Sequence, residues 1–150
     1  MTRFYAVREI QMPKAPLWAA LSTRYGAMPW GVRPEHVEVE RAGVDCPNGL
    51  GSIRVLRSWR GTIREETTEF EPEQRFGFRI LAGVPASDFR GVIELHAKSS
   101  QVSRVAWTVD FRPRTFAAPV VAFIMKLALL DSVNGFVRDV TRGPEVEALG

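Results

Sequence analysis

Arg57 and Glu65 are the residues of this chain whose type and placement most invite a chemical role. They flank Arg60-Gly61 on two runs that read as strands, Ser52–Trp59 and Ile63–Phe70. Ile53, Val55, Arg57 and Trp59 share one side of the first run, so the arginine falls among apolar residues. If a three-residue loop joins the runs, Trp59 meets Ile63, Arg57 meets Glu65 and Val55 meets Thr67. An inward Arg57–Glu65 pair is costly in a dry core, where desolvation takes several kcal/mol per ion. In a wet or ligand-lined pocket the same pair would orient a polar headgroup. The alternative is a register slip that turns both to solvent, since a slip moves every side chain of the strand. Were there acid/base chemistry, Glu65 is the candidate, provided burial raises its pKa.

Other chemistries find little support. His36 and His96 lie far apart, and no third nitrogen or thiolate near them has metal-ligand spacing. Neither a G-x-S-x-G elbow nor a Walker loop is present. Gly49-Leu50-Gly51-Ser52-Ile53-Arg54 begins like a dinucleotide loop, but it lacks the last glycine and opens a strand. It reads as a flexible turn beside a pocket mouth. Cys46 has no evident base beside it and reads as a free loop thiol. No metal and no cofactor are therefore expected. A single cysteine excludes an internal disulfide and fits a reducing cytoplasm. The net charge of +3 and pI near 9.5 suggest nucleic acid. The basic residues, however, are interleaved with acids, as in Arg64-Glu65-Glu66 and Glu73-Gln74-Arg75, so no nucleic-acid partner is expected.

The elements that must position these residues follow from pattern and punctuation. A chain of 150 residues with 45% hydrophobic and 25% charged content is expected to form one domain of an ordinary soluble type. Met1-Thr-Arg-Phe-Tyr has no apolar h-region, so a signal peptide is not expected and a cytoplasmic location is. Arg3–Ile10 reads as a strand. Pro13 and Pro16 open a helix that runs through Leu21, with Trp18 and Leu21 on one core-facing side. Ser22 to Gly31 reads as a second short helix or turn. Strands follow over His36–Ala42, Ser52–Trp59, Ile63–Phe70, Phe76–Leu81, Asp88–Ala97 and Val102–Arg112, separated by turn chemistry. Gly61 supplies a positive φ in the central hairpin. The result is an antiparallel meander closed by a long helix from Phe116 to Val140.

That helix decides the architecture. Pro119 to Leu130 contains one charge, Lys126, yet falls below the roughly 20 apolar residues of a membrane span. It is expected to bury itself on the concave face of the sheet through Phe116, Val120, Phe123, Leu127 and Leu130. On the last two strands Phe89, Gly91, Ile93 and Leu95, then Val105, Trp107, Val109 and Phe111, form the inner face. Arg90, Glu94 and His96, then Arg104, Thr108, Asp110 and Arg112, form the outer one. The inner set is unusually aromatic, and Gly91 leaves space in mid-strand. Together these predict a cavity for a flat or greasy ligand. Phe78, Phe89, Gly91, Ile93, Trp107, Val109, Val120, Phe123 and Leu127 are its expected lining, Phe123 and Leu127 facing Trp107. Trp59 joins that lining, and Arg57 and Glu65 stand at its polar end.

This order of elements resembles the START-like or Bet v 1-like (SRPBCC) superfamily, specifically its polyketide cyclase/dehydrase-type group, over nearly the whole chain. Pro16-Leu17-Trp18-Ala19-Ala20-Leu21 looks like that family's first helix, and Pro29-Trp30 like the tryptophan closing its second, which adds Trp30 to the expected lining. Gly49-Leu50-Gly51-Ser52-Ile53-Arg54 resembles its glycine-led third strand. Glu65-Glu66-Thr67 and Glu71-Pro72-Glu73-Gln74-Arg75-Phe76 resemble its glutamate-rich strand and proline turn. Phe89-Arg90-Gly91 with Glu94-Leu95, and Ser103-Arg104-Val105-Ala106-Trp107, resemble its last two strands. The resemblance implies an α+β helix-grip fold: a curved seven-stranded antiparallel sheet around the long helix, with two short helices after the first strand. It also implies an apolar cavity that holds lipids, hormones or polyketide-like chains. The sequence departs from the family at Ser22-Thr23-Arg24-Tyr25-Gly26-Ala27, where an aspartate or asparagine often stands. Binding of a small apolar or aromatic ligand is the expected function. A cyclase/dehydratase acting through Glu65 is the alternative. A third reading is a module that docks the Phe116–Leu130 helix to a membrane surface or a second subunit, without stable membrane insertion.

Overall fold

Alternation of apolar and polar residues, clearest over Asp88–Ala97 and Val102–Arg112, produces strands that have one face to bury, and the tight turns between them enforce antiparallel pairing. The computed structural model describes residues 1–22, 36–58, 61–114 and 117–149, with backbone alone for His36, Ser58 and residues 142–149. The order is β1 (Thr2–Ile10), α1 (Lys14–Ala20), β2 (His36–Arg41), β3 (Ile53–Ser58), β4 (Gly61–Glu71), β5 (Arg75–Ala82), β6 (Ala86–Ala97), β7 (Ser103–Pro113) and α2 (Ala118–Leu149). The expected second short helix, after Ser22, lies outside the described residues.

One curved seven-stranded sheet runs β1-β7-β6-β5-β4-β3-β2. β2 to β7 form the meander, and β1 returns to pair antiparallel with β7, from Thr2 opposite Phe111 to Ile10 opposite Ser103. Irregularities at Arg64/Glu65 and Thr67/Glu69 in β4, and at Ser87/Arg90 in β6, add local twist and bend to the sheet. The inner face of β6 and β7 is as the alternation requires: Phe89, Gly91, Ile93, Leu95, Val105, Trp107, Val109 and Phe111 are all buried. Phe4, Ala6, Ile10, Leu17, Trp18 and Leu21 complete this side of the core from β1, α1 and the residue that caps it.

The closing helix packs on β1 and β7, with Pro119 tolerated in its first turn. Its phase differs from the expected one. Met125, Leu129, Val133, Phe136 and Val140 are buried, and Val121, Ala122 and Val137 pack beside them. Val120, Phe123, Leu127 and Leu130 instead face solvent, with Ile124, at 37% to 62% exposure. Over its first turns the helix is apolar on both sides, so periodicity there does not select a face. Asp131, Asn134 and Arg138 are exposed and do select it. Phe116 lies outside the described residues. The apolar stretch is also longer than the Pro119–Leu130 run suggests. Ala118–Thr141 is long and apolar enough to cross a membrane, because Asp131 only briefly interrupts it. Its buried face is, however, committed to the sheet.

Candidate functional site

The site begins at the β3–β4 hairpin. Ser58 pairs with Gly61, so the connection is Trp59-Arg60, two residues rather than three, and Gly61 has φ of 136°. The shorter loop moves the register by three positions and changes which arginine meets Glu65. Arg54 stands opposite Glu65, while Arg57 stands opposite Thr62. Arg57 is exposed, 3.6 Å from Glu38 across the outer surface. The expected Arg57–Glu65 pair is therefore replaced by Arg54–Glu65, and the expected alternative, both side chains in solvent, does not occur.

Alternation misled here for a physical reason. Ile53 and Val55 are buried on the outer side of β3, while the inner side carries Ser52, Arg54 and Leu56, all buried too. A strand covered on both faces carries no period-two signal, and the apolar side is then not the inner one. The Gly49–Arg54 run, which reads as a turn at a pocket mouth and resembles the family's glycine-led third strand, supplies both Ser52 and Arg54.

Arg54 and Glu65 are 1% and 0% exposed. Arg54 Nη2 donates to Glu65 Oε1 at 2.6 Å, and Nη1 donates to the carbonyl of Ser22 at 3.1 Å. The guanidinium lies 5.7 Å from the centre of the Phe76 ring, within cation–π reach. Ser22, whose hydroxyl donates to the Trp18 carbonyl at 2.8 Å, ties this corner to the end of α1. Trp18, Phe70 and Phe76 meet edge to face, at centroid separations of 5.3, 6.3 and 6.2 Å, and wall the corner.

Beside the ion pair, Thr67 pairs with Ser52: the Thr67 amide donates to the Ser52 carbonyl at 2.9 Å. Both side chains are buried. Among the described residues, Ser52 Oγ, Thr67 Oγ1 and Arg54 Nε have no hydrogen-bond partner. Three orphaned polar atoms in one corner are unusual, because each costs about 1–3 kcal/mol when left unsatisfied.

From this corner the inner face continues as an apolar floor. Thr67 lies opposite Phe78, Phe78 opposite Gly91, and Gly91 opposite Val109; Phe76 lies opposite Ile93, and Ile93 opposite Trp107. Phe89 stacks on Phe111 at 5.5 Å. Gly91 does not leave open space. A Cβ there would come within 2.4 Å of Phe78 Cζ, so the missing side chain is filled by the Phe78 ring. Trp107 meets Phe136 of α2 edge to face at 5.9 Å, not Phe123 or Leu127.

The structure thus brings Glu65, Phe78, Phe89, Gly91, Ile93, Trp107 and Val109 to one inner face. It leaves Arg57, Val120, Phe123 and Leu127 on the outside. Trp30 and Trp59 lie outside the described residues. Sequence reasoning missed Ser52, Arg54 and Thr67. Among the described residues no three His, Cys, Asp or Glu side chains gather as a metal would require. Chemically, the corner offers hydrogen-bonding hydroxyls and a guanidinium N–H at the edge of an aromatic wall.

The outer face carries charge of another kind. Arg3 grips Asp110 with two hydrogen bonds, at 2.8 and 3.1 Å, and this holds the Asp110 carboxyl below the usual carboxylate range despite partial burial. The Lys98 ammonium does the same to Glu9. Both links tie β1 to its neighbour β7 or to the turn that precedes it.

Comparison with known proteins adds the family. No curated protein matches this sequence. Among solved structures, one from Thermobifida fusca superposes with a TM-score of 0.73 at 17% identity, covering 95% of each chain. The Zhui aromatase/cyclase of Streptomyces sp. R1128 superposes at 0.71 with 14% identity over 94% of both chains. Norcoclaurine synthase of Thalictrum flavum, in complex with dopamine and hydroxybenzaldehyde, gives 0.65 at 13% identity over 95% of this chain and 87% of the other. At such identities the likeness establishes the helix-grip fold alone. The sequence pattern described as polyketide cyclase / dehydrase and lipid transport matches residues 1–141, nearly the whole chain, and the protein belongs to that family.

Proposed function

We propose that this protein binds a small apolar or aromatic ligand between the sheet and α2, with its polar end against Arg54, Ser52 and Thr67. One observation carries the reading: a fully buried Arg54–Glu65 pair, with Arg54 Nε and the neighbouring Ser52 and Thr67 hydroxyls lacking hydrogen-bond partners, on an otherwise apolar inner face rich in aromatic residues. A fold that served only stability would gain by replacing such a pair with apolar side chains. Polar atoms held without partners are instead suited to a ligand's carbonyl or hydroxyl, while the aromatic wall takes its apolar body. Native mass spectrometry of the protein as purified, followed by titration with 2-naphthol as an aromatic probe, tests this. The expected result is one ligand per chain, with uptake lost in an Arg54→Met/Glu65→Leu variant that still folds. Absence of any bound species together with no probe uptake would overturn it.

A second reading rests on the position of Glu65, a carboxylate buried beside hydroxyls in a family that includes cyclases and dehydratases. Here the site folds a flexible chain and Glu65 moves a proton. Poly-β-keto substrates distinguish the two: an unchanged product distribution with Glu65→Gln rejects catalysis and leaves binding.

A further inference from the structure

We propose that the outward face of the first half of α2 docks this protein on the surface of an anionic lipid bilayer. Val120, Phe123, Ile124, Leu127 and Leu130 form a continuous stripe diametrically opposite the buried Met125–Leu129–Val133 line, and each is at least one-third exposed. The stripe stops where the helix turns polar outside, at Asp131, Asn134 and Arg138. Isolated exposed apolar residues need no explanation, but a contiguous row of five large ones marks a contact surface.

Two features select lipid as the occupant. The first is charge. From Phe111 to Leu130 the chain has Arg112, Arg114 and Lys126 and no acidic residue. Arg114 and Lys126 are exposed. An apolar stripe with Lys126 beside it and cations before it, meeting an acid only at its far end in Asp131, suits the anionic headgroup region, where each basic residue contributes about 1 kcal/mol. The second is area. The stripe offers on the order of 400–500 Å², short of the roughly 800 Å² each partner gives to a stable protein interface. A bilayer needs no such area, because acyl chains close around whatever side chains enter.

The geometry also limits the depth. The opposite side of the same helix holds Met125, Leu129, Val133 and Phe136 in the core, and Phe136 meets Trp107. Crossing the bilayer would expose that core, so the helix lies in the interface plane and sinks by about 5–10 Å.

Flotation with vesicles of phosphatidylcholine, alone or mixed with phosphatidylglycerol, tests the proposal on the full chain. Wild type is expected to float with the mixed vesicles, less well at high salt and poorly with phosphatidylcholine alone. Phe123→Asp/Leu127→Asp should weaken partitioning by about tenfold or more, and Lys126→Glu should remove most of the dependence on phosphatidylglycerol. Both act on exposed positions, and circular dichroism melts check that the fold survives. Should the double variant melt early, Lys126→Glu alone decides. Wild type that stays out of the mixed vesicles, or variants that float equally well, would overturn the proposal. So would a wild-type dimer in sedimentation velocity that Phe123→Asp/Leu127→Asp dissociates, since a second copy would then cover the stripe.

Discussion

Arg54 and Glu65 hold each other in a place where neither could remain alone. Glu65→Gln leaves the guanidinium buried without its counter-charge and is expected to cost about 3–5 kcal/mol. Urea denaturation of the single variant measures that loss. Arg54→Met/Glu65→Leu removes both charges and should recover most of the stability. Recovered stability without recovered ligand uptake would separate the pair's function from its fold. Gly91 makes the complementary case on the apolar floor. Its Cβ position lies 2.4 Å from Phe78 Cζ and 3.1 Å from the Thr108 carbonyl, and Phe78 is itself buried. Gly91→Ala should therefore cost about 1–3 kcal/mol through overpacking. Pairing it with Phe78→Leu should return part of that in a double-mutant cycle. The need for a small residue was legible from a glycine in mid-strand; that a phenylalanine from the neighbouring strand fills the space was not.

The closing helix is the element on which sequence and structure differ most. Its existence and its packing on the sheet followed from composition, yet its end, at Leu149 rather than Val140, and its orientation about its own axis did not. Phe123 and Phe136 put the matter to experiment. Phe136→Ala opens a cavity against Trp107 and should cost about 3–5 kcal/mol. Phe123→Ala, on the exposed stripe, should stay within about 0.5 kcal/mol. Thermal melts of the two variants side by side give the phase of α2 directly, and equal losses would place Phe123 in the core after all. The β3–β4 hairpin shows the same limit at shorter range. Its two strands and its glycine were legible, but the loop length decides the register, and the register decides whether Arg54 or Arg57 meets Glu65.

At the scale of the whole molecule, β1 is the strand that closes the sheet, and charges at both its ends stitch it there: Arg3 to Asp110 and Glu9 to Lys98. Both carboxyls are held below their usual values, so each contributes stability present above its unfolded pKa and lost as pH falls through the lower folded one. Stability should therefore decline below about pH 4. Arg3→Ala with Lys98→Ala should flatten that decline, modestly because the pairs are exposed and screened by salt. Melting temperature against pH in low salt measures it; an unchanged slope would show that the links contribute nothing. By itself, the sequence determined the α+β class, the seven antiparallel strands, the inward set on β6 and β7 and the family, because those depend on local alternation, turn residues and their order. Only the tertiary structure decided the Arg54–Glu65 pair, the filling of the space at Gly91 and the outward stripe on α2. Each of these depends on how an element covered on two sides, or apolar on two sides, meets its neighbours, and no one-dimensional period records that choice.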